Sequence, residues 1–217
     1  MSTSSKLQRG QLGAVNKGCL IALVVGLVVG IFAWKLTGGT YNKLVAADEV
    51  VEKQWAGLDA AYKRRLDVIP QLVGVVEGAA DFESDTYLAV TEARAKVNQA
   101  PSLGEAPTDP AELEAYMAAQ SNLGASLGRL LVTMEAYPAL KATDAFRDLQ
   151  SQVEGSENRI AVARGDYINA VAAYNTAIRK FPANFIAGMY DFERRPQLQE
   201  QDSAAVRETP VIDMTDD

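Results

Sequence analysis

Five charged residues fall at positions where the helical spacing of this sequence requires apolar side chains, which makes them its first candidates for chemistry. The apolar rhythm of three or four residues is interrupted in two stretches by arginines and acids, namely Arg65, Glu83, Arg94, Glu157 and Arg164. Charges on a core-facing stripe are costly unless they are paired and hydrogen-bonded. Two interpretations stay open. Either the charges pair across neighbouring helices and fix their register, or they line a polar groove that binds a ligand.

Catalysis built on histidine is excluded, because the sequence contains no histidine. Ser-His and Cys-His pairs, the usual zinc ligand sets and the Glu-x-x-His pairs of di-metal helix bundles are therefore absent. Paired carboxylates can hydrolyse glycosides without histidine, but no two acids of this chain are set apart for that role. We predict that the protein is not an enzyme and holds no metal or other cofactor.

The charge balance argues against nucleic acid as a partner. The 217 residues carry a net charge of -7, whereas a nucleic-acid binder presents a basic face. Eight acids and three arginines lie between Asp191 and Asp217, so this end supplies five of the seven net negative charges. It is polar and poor in aromatic residues, and we predict a disordered acidic tail over residues 189–217.

An uncharged run of 17 residues, GCLIALVVGLVVGIFAW, separates Lys17 from Lys35. As a helix it is about 26 Å long at roughly 1.5 Å per residue, close to a hydrocarbon core of about 30 Å. A cleaved signal peptide is the alternative, but Trp34 and Lys35 occupy the place of a small-residue cleavage site. We predict a flexible basic N-terminus over residues 1–17 and a single transmembrane helix over residues 18–36.

Basic residues flank this run unequally. Lys6, Arg9 and Lys17 precede it, together with the amino terminus, while Lys35 and Lys43 follow it. Because the more basic flank stays inside the cell, the sequence predicts a cytoplasmic N-terminus and a helical domain outside the cytoplasm. The flank before the run exceeds the flank after it by only one or two positive charges.

Small residues recur every four positions along the run. Gly18, Ala22, Gly26 and Gly30 share one helix stripe, where small residues let two helix backbones approach closely. The stripe predicts self-association in the membrane. The alternative is that glycine is simply frequent in transmembrane helices.

The chain after the run has a helical apolar pattern almost throughout and no hairpin signal, so we predict an all-α fold. Asp109 and Pro110 begin one helix as N-cap and first helical residue, and Pro138 interrupts it. A break at Pro70 gives four long helices, which predicts an up-and-down bundle over residues 41–188. The alternative is one long helix kinked at Pro70.

An aromatic segment, FPANFIAGMYDF, follows the last predicted helix. In an antiparallel bundle whose first helix leaves the membrane, the fourth helix returns towards it, so this segment lies near the bilayer. It either rests in the membrane interface or seals the base of the bundle. The residues concerned are Phe181, Phe185, Ile186, Met189, Tyr190 and Phe192.

Several segments, taken in order, resemble the LemA family of bacterial membrane proteins. They are YNKLVAADEVVEKQW, RRLDVIPQLV, FESDTYLAVTEARAKV, YPALKATDAFRDLQSQVEGSENRIAVARGDYINAV and YNTAIRKFP, and they span about residues 41–188. The resemblance implies a single N-terminal transmembrane helix, a four-helix up-and-down domain and no established enzymatic activity. Where family members often have histidine before the glutamate of the second helix, this chain has Phe82, which argues against a metal or proton role there.

The resemblance also implies a location and a kind of partner. It points to the bacterial cytoplasmic membrane and to neighbours such as membrane metallopeptidases or other envelope proteins. With the anchor and the small-residue stripe, this predicts a membrane-anchored scaffold or adaptor that forms a homo-oligomer, with a large ring as one form, and presents its bundle to envelope proteins. The alternative function is a ligand-sensing or binding module that uses the charged stripe.

Overall fold

The structure is a computed structural model that describes residues 17–78, 84–100 and 103–198; within these ranges the side chains of residues 17, 19, 29 and 32–36 are not described. Every regular element in the described ranges is helical, so the all-α fold class is confirmed. These ranges hold six α-helices and a short 3-10 turn at Met134–Ala136. The α-helices are α1 Lys17–Glu77, α2 Ser84–Gln99, α3 Pro110–Thr133, α4 Pro138–Lys141, α5 Asp144–Ala177 and α6 Ala183–Met189.

α1 is a single helix of 61 residues with Pro70 inside it. The break predicted at this proline is therefore wrong, and one continuous helix describes the chain. Pro70 itself is exposed, while Ile69, Leu72 and Val76 beside it are at most 1% exposed. A proline inside a helix costs about 3 kcal/mol, whereas burying each of these side chains contributes roughly 1.5–3 kcal/mol. Packing on one face thus holds the helix through the proline, and the second helix begins at Ser84.

α5 lies antiparallel along α1. The rings of Trp55 and Tyr167 have centroids 5.3 Å apart, and Nη1 of Arg65 lies 2.9 Å from Oε1 of Glu157. The residue numbers in each pair add to 222, which fixes the register between the two helices. α2 packs on α3 and on α1, so the core is built from α1, α2, α3 and α5.

Buried side chains form two clusters on either side of Arg65. The first joins α1, α3, α5 and α6 and contains large buried aromatic residues such as Trp55 and Tyr167. The second joins α1, α2, α3 and α5 and is largely aliphatic. Along α1, Arg65 lies between Tyr62 of the first cluster and Ile69 of the second. A buried charge therefore stands where the two parts of the core meet.

Two predicted helix boundaries are confirmed. Asp109 is the N-cap of α3, where its carboxylate accepts a hydrogen bond from the backbone N–H of Ala111 at 2.8 Å, and Pro110 is the first helical residue. α3 ends at Thr133, and Pro138 begins α4 after the 3-10 turn. Proline fits a first helical position because its missing N–H would have no partner there.

The N-terminal part of α1 exposes its side chains. Every described side chain between residues 18 and 31 is exposed. Eight of them are large and apolar, and each exposes 52–68% of its surface: Leu20, Ile21, Leu23, Val24, Val25, Leu27, Val28 and Ile31. In the described part of the chain, no helix combines the length and the apolar character needed to cross a membrane.

The helical domain reaches beyond the boundary predicted at residue 188. Residues 193–198 lie against α1 and α5, where Arg195 bonds to both helices and Leu198 is only 9% exposed. The acidic tail predicted over residues 189–217 therefore starts too early, because its first ten residues include this packed segment. Residues 199–217 lie outside the described part of the chain.

Candidate functional site

Arg65 is the centre of a polar cluster that joins three helices. Its side chain is only 3% exposed. Nη1 donates to Oε1 of Glu157 on α5 at 2.9 Å. Nη2 donates to the carbonyl oxygen of Gln120 on α3 at 2.9 Å and to its side-chain Oε1 at 2.6 Å. The guanidinium carbon lies 5.3 Å from the ring centroid of Tyr62, a distance at which a cation and an aromatic face attract. We call Tyr62, Arg65, Gln120 and Glu157 the Arg65 cluster.

A glycine on α3 makes room for this guanidinium. A Cβ atom on Gly124 would lie 3.2 Å from Nη1 of Arg65, which is closer than ordinary van der Waals contact. Gln120 stands one turn earlier on the same helix and supplies both acceptors for Nη2. The spacing of Gln120 and Gly124 therefore combines a bonding partner with the space that Arg65 needs.

The other members of the predicted charge network do not join the Arg65 cluster by ion pairs. Arg94 and Arg164 are half-buried, and neither forms an ion pair with a residue in the described ranges. Nε of Arg94 is buried without a hydrogen-bond partner among those residues. Glu83 lies outside the described residues. Periodicity placed all of these charges on one stripe, but long arginine side chains reach water from half-buried positions, so the stripe alone does not determine pairing.

A groove of about 270 Å³ opens beside the Arg65 cluster. Arg164 and Gly124 also line it. Because Nη1 and Nη2 of Arg65 are already bonded to Glu157 and Gln120, the groove does not present that guanidinium as a free cation. Among the residues that the structure describes, no three acidic or cysteine side chains converge as metal ligands would. The geometry is that of a cluster holding helices together.

Two tyrosines of the core stay neutral at ordinary pH. Burial raises the pKa of the Tyr62 phenol, although the charges of Arg164 and Arg65 lower it in part. Burial and the carboxylate of Asp59 raise the pKa of Tyr116 well above its usual value. The Tyr116 hydroxyl donates to Oδ1 of Asp59 at 3.0 Å, a bond that only the neutral phenol can form. Neither phenol is poised as a base.

A second polar site lies at the opposite end of the first core cluster, and the sequence did not predict it. Nε and Nη2 of Arg195 donate to the two oxygens of Asp48 at 3.1 and 3.2 Å, and Nη2 also donates to Oε1 of Glu52 at 2.8 Å. Nη1 donates to the carbonyl oxygen of Ala106 at 2.7 Å. Burial lowers the pKa of Arg195, but the charges of Asp48 and Glu52 outweigh burial and raise it overall. We call these four residues and Asn175 the Arg195 clasp.

The backbone of the C-terminal segment is bonded to α5 at the same place. The side-chain amide of Asn175 donates to the carbonyl oxygen of Arg195 at 2.8 Å and accepts from its N–H at 3.0 Å. The Tyr174 hydroxyl donates to the carbonyl oxygen of Glu193 at 2.9 Å. The remaining oxygen of Glu52 accepts from the N–H of Ala106 at 2.7 Å. The clasp therefore binds α1, α5, the loop before α3 and the C-terminal segment to one another.

The aromatic segment after α5 divides into a buried and an exposed side. Ile186 is 5% exposed and belongs to the first core cluster, and Phe192 is half-buried. Tyr41 of α1 contacts the rings of Tyr190 and Phe192, with centroids 4.8 and 5.8 Å apart. The remaining side chains expose half of their surface or more: Phe181 88%, Phe185 68%, Met189 56% and Tyr190 51%. We call these four the base patch.

A sequence model of the LemA family matches residues 54–214. The chain belongs to the LemA family. MamQ 2, a magnetosome protein of Paramagnetospirillum magneticum, is 26% identical over 215 aligned positions, which cover 91% of this chain and 78% of the relative. MamQ of Magnetospirillum gryphiswaldense is 23% identical, with 79% of this chain and 68% of the relative covered. Protein LemA of Metamycoplasma hominis is 26% identical, with 76% of this chain and 71% of the relative covered. None of these names states an enzymatic activity.

The match to the LemA family includes the Arg65 cluster and part of the Arg195 clasp. Arg195 and Asn175 lie inside the matched range, whereas Asp48 and Glu52 precede residue 54. The matched range also extends past residue 188, in agreement with the packed segment that ends at Leu198. The LemA-like domain therefore extends further towards the C-terminus than the segments that carry the resemblance, which end near residue 188.

The small-residue stripe of this LemA family chain faces open space. A Cβ atom added at Gly18, Gly26 or Gly30 would meet no atom of the described chain within 4 Å, and Ala22 is exposed. The stripe therefore contacts no other part of the described chain.

One sequence feature gives a weak indication of the Arg195 clasp. Asp48 and Glu52 are acids four residues apart, which places them on one face of α1. Their partner Arg195 is 147 residues from Asp48 and 143 residues from Glu52, beyond the last predicted helix. Local spacing cannot report a contact over that distance.

Proposed function

We propose that this LemA family protein is a membrane-anchored helical scaffold that self-associates and presents its bundle to protein partners of the cell envelope. The observation that carries the proposal is the exposure of eight large apolar side chains between residues 20 and 31. A contiguous apolar surface of this kind marks contact with a membrane or with another protein. The 17-residue run that contains them carries no charge.

The anchor would be continuous with the bundle. α1 runs from Lys17 to Glu77 as one helix, so the exposed apolar part and the packed part belong to one rod. Five of the seventeen residues in the run have side chains outside the described set, and the support for the anchor is the uncharged sequence of the run and the exposure of its described members. The bias of basic flanks supports a bundle outside the cytoplasm.

Self-association is proposed for the small-residue stripe, because it lies open along the apolar part of α1. The test is native mass measurement of the full chain in mild detergent. The wild-type protein mass should be at least twice 23.3 kDa, and the double variant Gly26→Leu, Gly30→Leu should give a smaller mass. Gly39→Leu is the matched control, since Gly39 lies on the same helix with equally open surroundings, and its position nine residues after Gly30 is on the opposite side of the helix. A wild-type monomer, or a double variant of unchanged mass, would contradict the stripe as the contact.

Partner presentation is proposed for the outer faces of the bundle. Among exposed apolar side chains away from the anchor, Val132 on α3 and Val162 on α5 expose 68% and 59% of their surface. A photo-crosslinking residue at each position, in cells that make the full chain, should capture envelope proteins, with membrane peptidases as the class that the family resemblance suggests. Absence of any product other than the homo-oligomer would contradict the adaptor role and leave the anchored oligomer standing.

The ligand-sensing alternative has less support. It requires a charged stripe that is free to bind, whereas Arg65 already bonds to Glu157 and Gln120.

A further inference from the structure

We propose that the base patch is a second membrane contact, which rests in the interface of the same bilayer that holds the apolar run of α1. This inference depends on the proposed anchor and adds to it a lipid-facing surface on the bundle itself. The base patch consists of Phe181, Phe185, Met189 and Tyr190.

The first observation is the division of α6 into two sides. Ala183, Ile186 and Ala187 are 5–9% exposed and pack in the first core cluster. Phe185 and Met189, on the same seven-residue helix, expose 68% and 56% of their surface. The helix is thus fixed to the bundle by small and aliphatic side chains and turns larger apolar ones outward. Exposure of such a patch has an energetic cost in water.

The second observation is the height of the patch along α1. The antiparallel register, in which paired residue numbers add to 222, places Ala177 at the end of α5 level with Val45, and beyond that end Tyr190 contacts the Tyr41 ring at 4.8 Å. Tyr41 is seven residues beyond Trp34, the last residue of the uncharged run. At 1.5 Å per residue this separation is about 10 Å, a few ångströms more than the roughly 5–8 Å of headgroup region on each side of a bilayer, a difference that large side chains near Tyr41 can span.

The third observation is the chemistry of the patch. Three of its four side chains are aromatic: Tyr190 is of a type enriched at membrane interfaces, and phenylalanine is frequent on the apolar face of helices that lie in the interface. Arg179 and Lys180, both exposed, come directly before Phe181, while Asp191 is the acid that directly follows the patch. The local balance is one positive charge, which does not oppose contact with an anionic lipid surface.

A second copy of the chain is a poorer occupant. Four side chains of this size offer on the order of 500 Å² of surface, below the roughly 800 Å² per partner of a standard protein interface. The patch lies about 10 Å along α1 from the end of the apolar run, so the bilayer proposed for that run is close to it. Lipid fits both surfaces at once.

The experiment places a fluorophore at single cysteines in the full chain, with Cys19→Ser as background, reconstituted in anionic lipid vesicles. Phe185→Cys and Met189→Cys report the patch, Leu27→Cys reports the anchor, and Val132→Cys is the control at an equally exposed apolar position on the far side of the bundle. Lipids carrying a nitroxide near the headgroup should quench the labels at residues 185 and 189 at least about twofold more than the label at residue 132. Deep nitroxides should quench the label at residue 27.

The outcomes separate the two proposals. Quenching at residue 27 together with control-level quenching at residues 185 and 189 would overturn the base-patch contact and leave the anchor intact. Emission shifted to the blue at residue 185 without lipid quenching would assign the patch to a protein neighbour and also overturn the inference. No quenching at residue 27 would contradict the anchor itself. Because both patch positions are exposed, the cysteine variants should keep the fold, which circular dichroism checks.

Discussion

Nη1 of Arg65 lies 2.9 Å from Oε1 of Glu157, although the two residues are 92 positions apart and belong to α1 and α5. The partners differ in burial, since the side chain of Arg65 is 3% exposed and that of Glu157 is 45% exposed. The ion pair is therefore asymmetric: one charge depends on the protein for its solvation, and the other still reaches water. This asymmetry determines what each substitution should do.

Removal of the acid should cost more than removal of the base. Glu157→Ala leaves a buried guanidinium without its counter-charge, and we expect a loss of about 2 kcal/mol in the free energy of unfolding. Arg65→Met leaves a carboxylate that is free in water, and we expect a loss of about 1 kcal/mol. The double variant should resemble Arg65→Met alone. Urea unfolding of the full chain in detergent micelles, followed by circular dichroism, gives the comparison. Equal losses from the two single variants would contradict this account.

Two glycines one turn apart on α3 should respond oppositely to alanine. Gly128→Ala meets no atom within 4 Å, so the variant should gain up to about 1 kcal/mol in helix propensity. Gly124→Ala places a methyl group 3.2 Å from Nη1 of Arg65, and displacement of that guanidinium should cancel the gain or reverse it. Thermal unfolding of both variants beside the wild type is the measurement. Equal stabilisation would show that Arg65 moves aside without cost.

Release of the Arg195 clasp should loosen one end of the domain. Arg195→Gln removes hydrogen bonds to two carboxylates, each worth about 1.5–3 kcal/mol in such charge-assisted cases. Amide hydrogen exchange over residues 190–198 should accelerate by about tenfold or more, while exchange in α2 stays unchanged. Arg194→Gln is the control, because Arg194 is an exposed neighbour outside the clasp. Similar exchange in the two variants would show that apolar packing of Leu198, and not the clasp, holds the segment.

Two tyrosines of α5 should differ when their hydroxyls are removed. The Tyr167 hydroxyl is buried with no hydrogen-bond partner among the described residues, so Tyr167→Phe should leave stability unchanged or raise it by up to about 1 kcal/mol. The Tyr174 hydroxyl donates to the carbonyl oxygen of Glu193 at 2.9 Å, so Tyr174→Phe should lose about 1 kcal/mol. Urea unfolding of the two variants beside the wild type measures both changes in the free energy of unfolding. A loss on Tyr167→Phe as large as that on Tyr174→Phe would reveal a partner for the first hydroxyl.

The free energy of unfolding should fall in strong base because the buried phenol of Tyr167 then ionises. Burial, reinforced by the charge of Glu52, raises the pKa of Tyr167 to about 12, although Arg195 opposes the shift. A phenol whose folded pKa lies above its unfolded value of 10 supports the fold fully below pH 10, and this support is lost as pH rises towards 12. Absorbance titration at the tyrosinate band should show one group fewer ionising near pH 12 in Tyr167→Phe. Ionisation of that group near pH 10 in the folded protein would contradict the assignment.

Local chemistry in the sequence predicted the helical class and the start of α3. Asp109 and Pro110 predicted this start correctly because a cap and a first-turn proline depend only on backbone groups a few residues away. The helix break predicted at Pro70 was wrong because the outcome there depends on contacts with distant parts of the chain. Its local penalty is real, but buried neighbours such as Leu72, at 0% exposure, offset it, and that burial depends on other helices.

The candidate site was predictable only in part. Arg65 was found because a charge on an apolar stripe must be satisfied, and Glu157 was one of the acids that could satisfy it. Gln120 and Gly124 were missed, since an amide and a glycine on a helix give no sign of the distant cation that they accommodate. The Arg195 clasp joins residues more than 140 positions apart, and no periodicity reports such a contact.

The central claim is that residues 18–34 hold the helical domain in a bilayer, and liposome flotation of the full chain tests it most directly. Protein synthesised in the presence of vesicles should rise with them through a density gradient at high salt, which removes proteins held by charge alone. The double variant Leu23→Asp, Leu27→Asp should remain at the bottom, because charges in the apolar run are costly in hydrocarbon. Wild-type protein that stays at the bottom with the variant would contradict the membrane anchor.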